Sequence, residues 1–338
     1  MKAMILAGGL STRLYPLTKQ VPKPLVPVVG EPNAVHLIQY LHAYGFDEIA
    51  INVHYLPDAI LATLGDGSQF DVKVTYLHED MLLGSAGAVK QMESYFADET
   101  FVVVGCDLLT DIPLDRLIAY HKMREALATI ALVKRDEVDQ YGVVVTGEKG
   151  KITGFQEKPA RGTEASNMVN TGIYVFEPAI FAHIPAATFY DFGKQVFPEL
   201  RKSDAAFYGY DAGRAYWCDI GTLDEYRRGT NDILDGTFKI PATRAKGADP
   251  SATIAPDVEI EGDVWIGANA IIEAGVKIAG PSVIGDGVRI DRNARIDASI
   301  FWDGASVGLN ATIANAIVGR DYNVPAAVNI DGAVLANE

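Results

Sequence analysis

The stretch AGGLSTRLYPLTKQVPKP, Ala7 to Pro24, carries residue types suited to holding phosphate. A glycine pair, Gly8-Gly9, follows an apolar run, so backbone N–H groups can approach anionic oxygens closely. Arg13 adds a planar fork of donors that matches phosphate geometry. Lys23 sits between Pro22 and Pro24 on a stiff extended segment, which aims a cation. Neither G-x-x-x-x-G-K-[ST] nor G-x-G-x-x-G occurs here, so the stretch is neither a P-loop nor a dinucleotide fingerprint. Taken singly, the glycine pair reads better as a plain turn.

The bulk properties narrow the partners. The chain has 338 residues, 49% hydrophobic and 22% charged, with a net charge of −15. That charge argues against nucleic acid and anionic membranes, which need a basic face. It also means that a few placed cations must overcome a repulsive field if the ligands are phosphates. No apolar run approaches the length of about 18 residues that spans a bilayer. The N-terminus lacks the small-residue cleavage site of a secretory signal, and a cytoplasmic location is expected. Cys106 and Cys218 are too few and too isolated for a disulfide framework or a zinc site, and period-2 alternation turns both into the core.

The elements that position these groups follow from periodicity. Lys2–Ala7, 48–55, 72–79 and 100–107 read as strands, and 34–45 and 85–96 as helices. Strand–helix–strand at this spacing predicts a parallel α/β sheet, and ligands of such sheets bind at the carboxyl ends of the strands. Residues 141–159 read as a hairpin turning at Glu148–Gly150. Beyond a linker, 237–250, the texture changes. Ile254, Ile260, Ile266, Ile272, Ile278, Ile284, Ile290 and Ile296 recur at a spacing of six. Four residues after each comes a small or β-branched residue, the last being Ile300. Hexapeptide periodicity predicts a parallel β-helix, with the isoleucines stacked inward and the register slipping after Trp302. Phe301 and Trp302 beside that slip read either as an exposed subunit contact or as buried stacking.

The opening stretch resembles the signature of the sugar-1-phosphate nucleotidyltransferases, approximately G-G-x-G-T-R-L-x-P-L-T-x-x-x-P-K-P. Further segments are similar to the family in the same order: LGSAGAVK (Leu83–Lys90), VGCDLLTD (Val104–Asp111), FQEKP (Phe155–Pro159), NTGIYVFEP (Asn170–Pro178) and WCDIGT (Trp217–Thr222). The resemblance implies a Rossmann-like mixed α/β sheet over 1–236, followed by a left-handed parallel β-helix over 251–330. It implies that Ala7, Gly8, Gly9 and Ser11 line a nucleotide, that Arg13 holds the departing phosphates, that Lys23 faces the α-phosphate and that Gly87 lies against the base. It implies Mg²⁺ on Asp107 and Asp219, sugar hydroxyls on Glu157 and Asn170, the sugar phosphate on Lys158, and close approach of the sugar at Gly142 and Gly172. Two acids that end strand-like runs can converge on one hard cation, though an acid there also serves as a helix N-cap.

The implied reaction joins a nucleoside triphosphate to a hexose 1-phosphate and releases pyrophosphate. Within the family the closest likeness is to bacterial mannose-1-phosphate guanylyltransferases, which points to GTP and mannose 1-phosphate. UTP or dTTP with glucose 1-phosphate is the alternative, as is a non-catalytic regulatory relative. Acyl transfer by the solenoid is not expected, because none of the six histidines lies beyond the linker. The solenoid is instead expected to build a homo-oligomer. One residue departs from the pattern: Ser11 stands where the family has glycine. A positive φ there would strain a serine by roughly 1 kcal/mol. The preferred expectation is a shifted loop whose Ser11 hydroxyl donates to a phosphate oxygen.

Overall fold

The computed structural model describes residues 1–240 and 246–337, so part of the predicted linker lies outside the described residues. The chain forms two compact units. The first holds Met1–Leu10, Pro22–Pro24 and Ala34–Asp219, and the second holds Ser11–Val21, Leu25–Asn33 and Ile220–Glu338.

The first unit is built on a nine-stranded sheet. Its strands are β1 (Lys2–Leu6), β2 (Glu48–Val53), β3 (Lys73–His78), β4 (Phe101–Gly105), β5 (Ala128–Lys134), β6 (Gly142–Thr146), β7 (Ile152–Glu157), β8 (Met168–Phe176) and β9 (Phe207–Asp211). The four early strands pair in parallel, in the order β4-β1-β2-β3. The central strands β4 and β1 are apolar apart from Lys2, as strands buried on both faces must be, whereas β3 at the edge, KVTYLH, is half polar and buries only Val74. The sheet becomes mixed where β8 runs antiparallel to β4 and β5. The hairpin forms as predicted, with β6 and β7 antiparallel around the turn Glu148–Gly150.

Helix Asn33–Ala43 ends just before Gly45, whose φ of 81° and N–H bond to the His42 carbonyl reverse the chain. The predicted helix 85–96 is two pieces, Gly84–Gln91 and Glu93–Phe96, broken at Met92. A stacked row of phenylalanines anchors the core: Phe96 on Phe101, and Phe176 on Phe192 on Phe197 on Phe207. Both cysteines are buried and free, and burial pushes the Cys106 thiol up to about 12, which makes it inert.

The second unit contains the solenoid, three sheets of short, all-parallel strands. Early coils repeat every eighteen residues, pairing Ile254 with Ile272, Ile260 with Ile278 and Ile266 with Ile284. Later coils repeat every seventeen, pairing Ile284 with Phe301, Ile290 with Val307 and Ile296 with Ile313. The residue is lost between Ile296 and Phe301, ahead of the predicted slip after Trp302. At that corner Ser299, not Ile300, continues the small-residue column. Its N–H donates to Ser282 Oγ at 3.1 Å, and its own Oγ accepts from the Ala316 N–H at 3.0 Å. These bonds satisfy hydroxyls that are fully buried. Phe301 and Trp302 are 0% and 2% exposed, so they are core residues rather than a surface patch. No helix among the described residues is long and apolar enough to cross a membrane.

Candidate active site

The carboxyl end of β1 opens into a cavity of about 250 Å³, lined by Gly8, Gly9, Asn52, Glu79, Ser85 and Phe189 among others. Its polar wall is prearranged. The Ala7 N–H donates to Asn52 Oδ1 at 2.9 Å, which orients the amide so that Asn52 Nδ2 donates to Glu79 Oε2 at 2.6 Å. The Leu83 N–H donates to Glu79 Oε1 at 3.1 Å. Glu79 is a buried carboxylate, 6% exposed, held by these neutral donors. The Ala7 N–H is therefore spent on the wall itself.

The two glycines of the pair differ. A Cβ on Gly8 would fall 2.7 Å from both Asn52 Nδ2 and Glu79 Oε2, so glycine is needed for the wall itself. A Cβ on Gly9 would meet nothing within 4 Å, so this is the glycine that leaves room for an approaching group. Gly87 is buried, and a Cβ there would lie 2.8 Å from the Thr188 carbonyl oxygen. Its glycine identity serves packing against 188–190, and Gly84 and Ser85 of the same helix line the cavity.

Lys23, Asp107 and Asp219 come together as the sequence suggested. Trp217–Asp219 pairs antiparallel with Leu108–Thr110, and the register sets Asp219 opposite Leu108, next to Asp107. Lys23 Nζ forms an ion pair with Asp107 Oδ2, and Lys23 is 9% exposed. Burial pushes the Asp107 carboxyl up, but Lys23 and the Asp219 carboxyl beside it outweigh that and bring it to about 2. Burial also disfavours the Lys23 ammonium, yet Asp107 and Asp219 raise its pKa above the ordinary 10.5. Asp107 and Asp219 lie within hydrogen-bonding reach of each other. Two carboxylates so placed share a proton or a cation, and an all-oxygen pair suits a hard divalent ion. This donor set fits Mg²⁺.

The predicted sugar residues gather around β6, β7 and β8. A Cβ on Gly142 would meet Glu157 Oε2 at 3.2 Å and Phe155 at 2.9 Å, and one on Gly193 would meet the same Glu157 oxygen at 2.9 Å. Burial raises the Glu157 carboxyl, Asp191 adds to this, and Lys158 and Lys194 oppose it. Asn170 Oδ1 accepts from the Gly172 N–H at 2.9 Å, and Asn170 Nδ2 donates to the Tyr174 hydroxyl at 3.0 Å. The register of β8 against β5 shifts between Asn170 and Tyr174, and Gly172 has φ 77° inside that bulge. Both glycines thus serve the chain's own backbone and side chains first. Lys158 is exposed, with φ 47°, directly after β7. Asp191 accepts from Ser85 Oγ at 2.8 Å, tying the cavity rim to this cluster. Asn52, Glu79, Ser85 and Asp191 were missed by sequence reasoning; an Asn inside an apolar strand was the available signal.

In the second unit, Arg13 lies on the 3₁₀ turn Thr12–Leu14, exposed, with no ion pair among the described residues. Ser11 has φ 55° and ψ 36°, and its carbonyl accepts from Thr18 Oγ1 at 2.7 Å. The loop does not shift to spare the serine; it takes the left-handed conformation that the family glycine would take. Ser11→Gly should therefore raise stability by up to roughly 1 kcal/mol and leave triphosphate affinity intact. Thermal melts with and without nucleotide check this, and weakened binding would reinstate the hydroxyl as a ligand.

Comparison with known proteins agrees with this geometry. The family model described as Nucleotidyl transferase matches residues 2–236, and the one described as GMPPB C-terminal domain matches residues 262–338. A UTP–glucose-1-phosphate uridylyltransferase of Synechocystis is 37% identical, covering 99% of this chain and 92% of its own. Mannose-1-phosphate guanylyltransferase 1 of Arabidopsis thaliana is 34% identical over 99% of this chain and 95% of its own. A crystallised Bacillus anthracis protein, described as a glucose-1-phosphate thymidylyltransferase and bound to sucrose, superposes with TM-score 0.61 at 26% identity. That match covers 68% of this chain and 94% of the other. With a prearranged cavity and a buried lysine–aspartate pair on a mixed sheet, and relatives aligned along nearly its whole length, the chain is an enzyme of the nucleotidyl transferase family.

Proposed function

We propose that this enzyme joins GTP to mannose 1-phosphate, giving GDP-mannose and pyrophosphate. The observation that carries the choice of base is Glu79. A buried carboxylate only accepts hydrogen bonds, and the Watson–Crick edge of guanine offers two adjacent donors, N1–H and N2–H₂. Uracil offers one donor between two carbonyls that a carboxylate repels. The names of the Arabidopsis relative and of a 31% identical Mycobacterium tuberculosis relative, both guanylyltransferases, support the reading. The Synechocystis uridylyltransferase supports UTP with glucose 1-phosphate as the second reading.

In the transfer, an oxygen of the sugar phosphate attacks the α-phosphorus as the bond to the β-phosphate oxygen breaks. Lys23 neutralises the α-phosphate, and Gly9 leaves room for its backbone approach. Mg²⁺ held by Asp107 and Asp219 would supply charge neutralisation and orientation of the phosphates. Arg13 takes the departing pyrophosphate, Lys158 the sugar phosphate, and Glu157 and Asn170 the sugar hydroxyls. No general base is required, since the attacking phosphate oxygen is already anionic.

Pyrophosphate release measured across GTP, ATP, UTP, CTP and dTTP with mannose and glucose 1-phosphates should show GTP with mannose 1-phosphate fastest. GTP as the poorest donor would overturn the choice of base.

A further inference from the structure

Four residues after Lys23 the chain forms a small hairpin, Pro27–Val28 against Glu31–Pro32. Its turn is Val29–Gly30, with φ of 47° and 88°. A β-branched residue at positive φ is strained, and such strain persists only where the surroundings hold it. Val28 and Val29 are 0% and 2% exposed, and two solenoid tryptophans bear on the residues that flank them. Trp265 packs on Gly30 so closely that a Cβ there would lie 2.4 Å from its ring. Trp302 acts through a relay. Its indole N–H donates to the Tyr226 hydroxyl at 2.9 Å, and that hydroxyl donates to the Pro27 carbonyl at 2.7 Å.

The relay has only one polarity. An indole nitrogen only donates and a carbonyl only accepts, so the hydroxyl between them must do both. Tyr226 is 1% exposed, and burial raises its pKa, which keeps the phenol protonated. The two rings meet edge-on, with centroids 6.4 Å apart at 87°. Neither tryptophan belongs to the solenoid's own apolar stack, which is made by residues such as Ile266, Ile284 and Phe301. Trp265 instead meets the hairpin at Gly30, and Trp302 reaches it through Tyr226. Segment 11–21, with Arg13, lies in the same compact unit as the hairpin and the solenoid.

We propose that the solenoid takes part in nucleotidyl transfer, with Trp302 a positioning residue that acts through Tyr226 and the Pro27 carbonyl on the loop segment carrying Arg13. This rests on the reading of that loop as the triphosphate site.

The test uses the full chain. Trp302→Phe removes the donor together with part of the indole, whereas Tyr226→Phe keeps the whole ring, removes only the hydroxyl and breaks both bonds; if the first fails to fold, the second reads the same relay. Both should lower kcat/KM for the triphosphate at least tenfold while KM for the sugar phosphate stays within twofold. The double variant should be no worse than the worse single one, because the bonds act in series. Ile290→Val, in the solenoid stack, is the stability control, and should lower the melting temperature without changing the kinetics. Unchanged kinetics in the folded relay variants, or an equal kinetic loss in the control, would overturn the proposal. A wild type inactive with every substrate pair would instead defeat the functional reading. Calorimetric triphosphate Kd then makes the comparison, with tenfold weakening expected in the relay variants and unchanged Kd counting against it.

Discussion

Asp107→Asn should lower turnover by roughly a thousandfold, the scale of losing a carboxylate that would hold the metal which neutralises the phosphates. The variant should also melt at a lower temperature, for a separate reason. Asp107 is the ion-pair partner of a lysine that is 9% exposed, and removing it leaves that ammonium without its nearest counter-charge. Breaking a buried pair from one side costs about 3–5 kcal/mol, and the nearby Asp219 holds the loss toward the lower end. Lys23→Met in the same background should recover much of the stability and none of the activity, which separates the two effects. The acid limb gives a further check in the presence of a chelator. The Asp107 carboxyl titrates at about 2 against an ordinary 3.8, so its stabilisation is complete above 3.8 and is lost as pH falls toward 2. The stability gap between wild type and variant should close over that window. Full turnover by folded Asp107→Asn would remove the residue from the chemistry.

Glu79→Gln should change which base is accepted. A glutamine amide presents one acceptor and one donor side, so it fits the alternating edge of uracil and opposes one of the two guanine donors. Sites that hydrogen-bond a specific group reject a mismatched partner by factors of about 10⁴, although a partial mismatch costs less. The expected result is a fall of about a hundredfold in kcat/KM with GTP and a far smaller fall with UTP, a cost near 3 kcal/mol for guanine alone. The substitution also disturbs the wall, because the Asn52 amide and the Leu83 N–H both donate to this carboxylate. That disturbance weakens every nucleotide equally, so the ratio between bases is the readout. An unchanged GTP-to-UTP ratio would place base selection elsewhere.

How much of this was legible beforehand depended on whether a position's reason was local. The isoleucines at a spacing of six announced the solenoid because no other architecture needs that period. The hairpin at Glu148–Gly150 was legible for the same reason, its turn residues being adjacent in sequence. Lys23, Asp107 and Asp219 were found through long motifs, although what unites them is the pairing of Trp217–Asp219 with Leu108–Thr110, a contact across 108 to 219 that no local pattern states. Glu79 was passed over because an acid following a strand is ordinary; only the fold shows it buried against Asn52 and Gly8. Gly87, Gly142 and Gly172 were recognised as necessary glycines, but their spatial reasons lie in the protein's own packing. The shortened coil was misplaced because Ile300 satisfies the hexapeptide pattern by type, whereas Ser299 satisfies it in space.

The hairpin lodged with the solenoid bears on modularity. The Nucleotidyl transferase match ends at residue 236, yet the second compact unit begins at Ile220 and reclaims 11–21 and 25–33 from near the start of the chain. A gene fusion that exchanged C-terminal repeats at the linker would cut between the tryptophans and the glycine, tyrosine and proline that answer them. The repeats of this protein are therefore not a detachable cassette: they and the hairpin Pro27–Pro32 form a single heritable module, and a productive crossover must carry both.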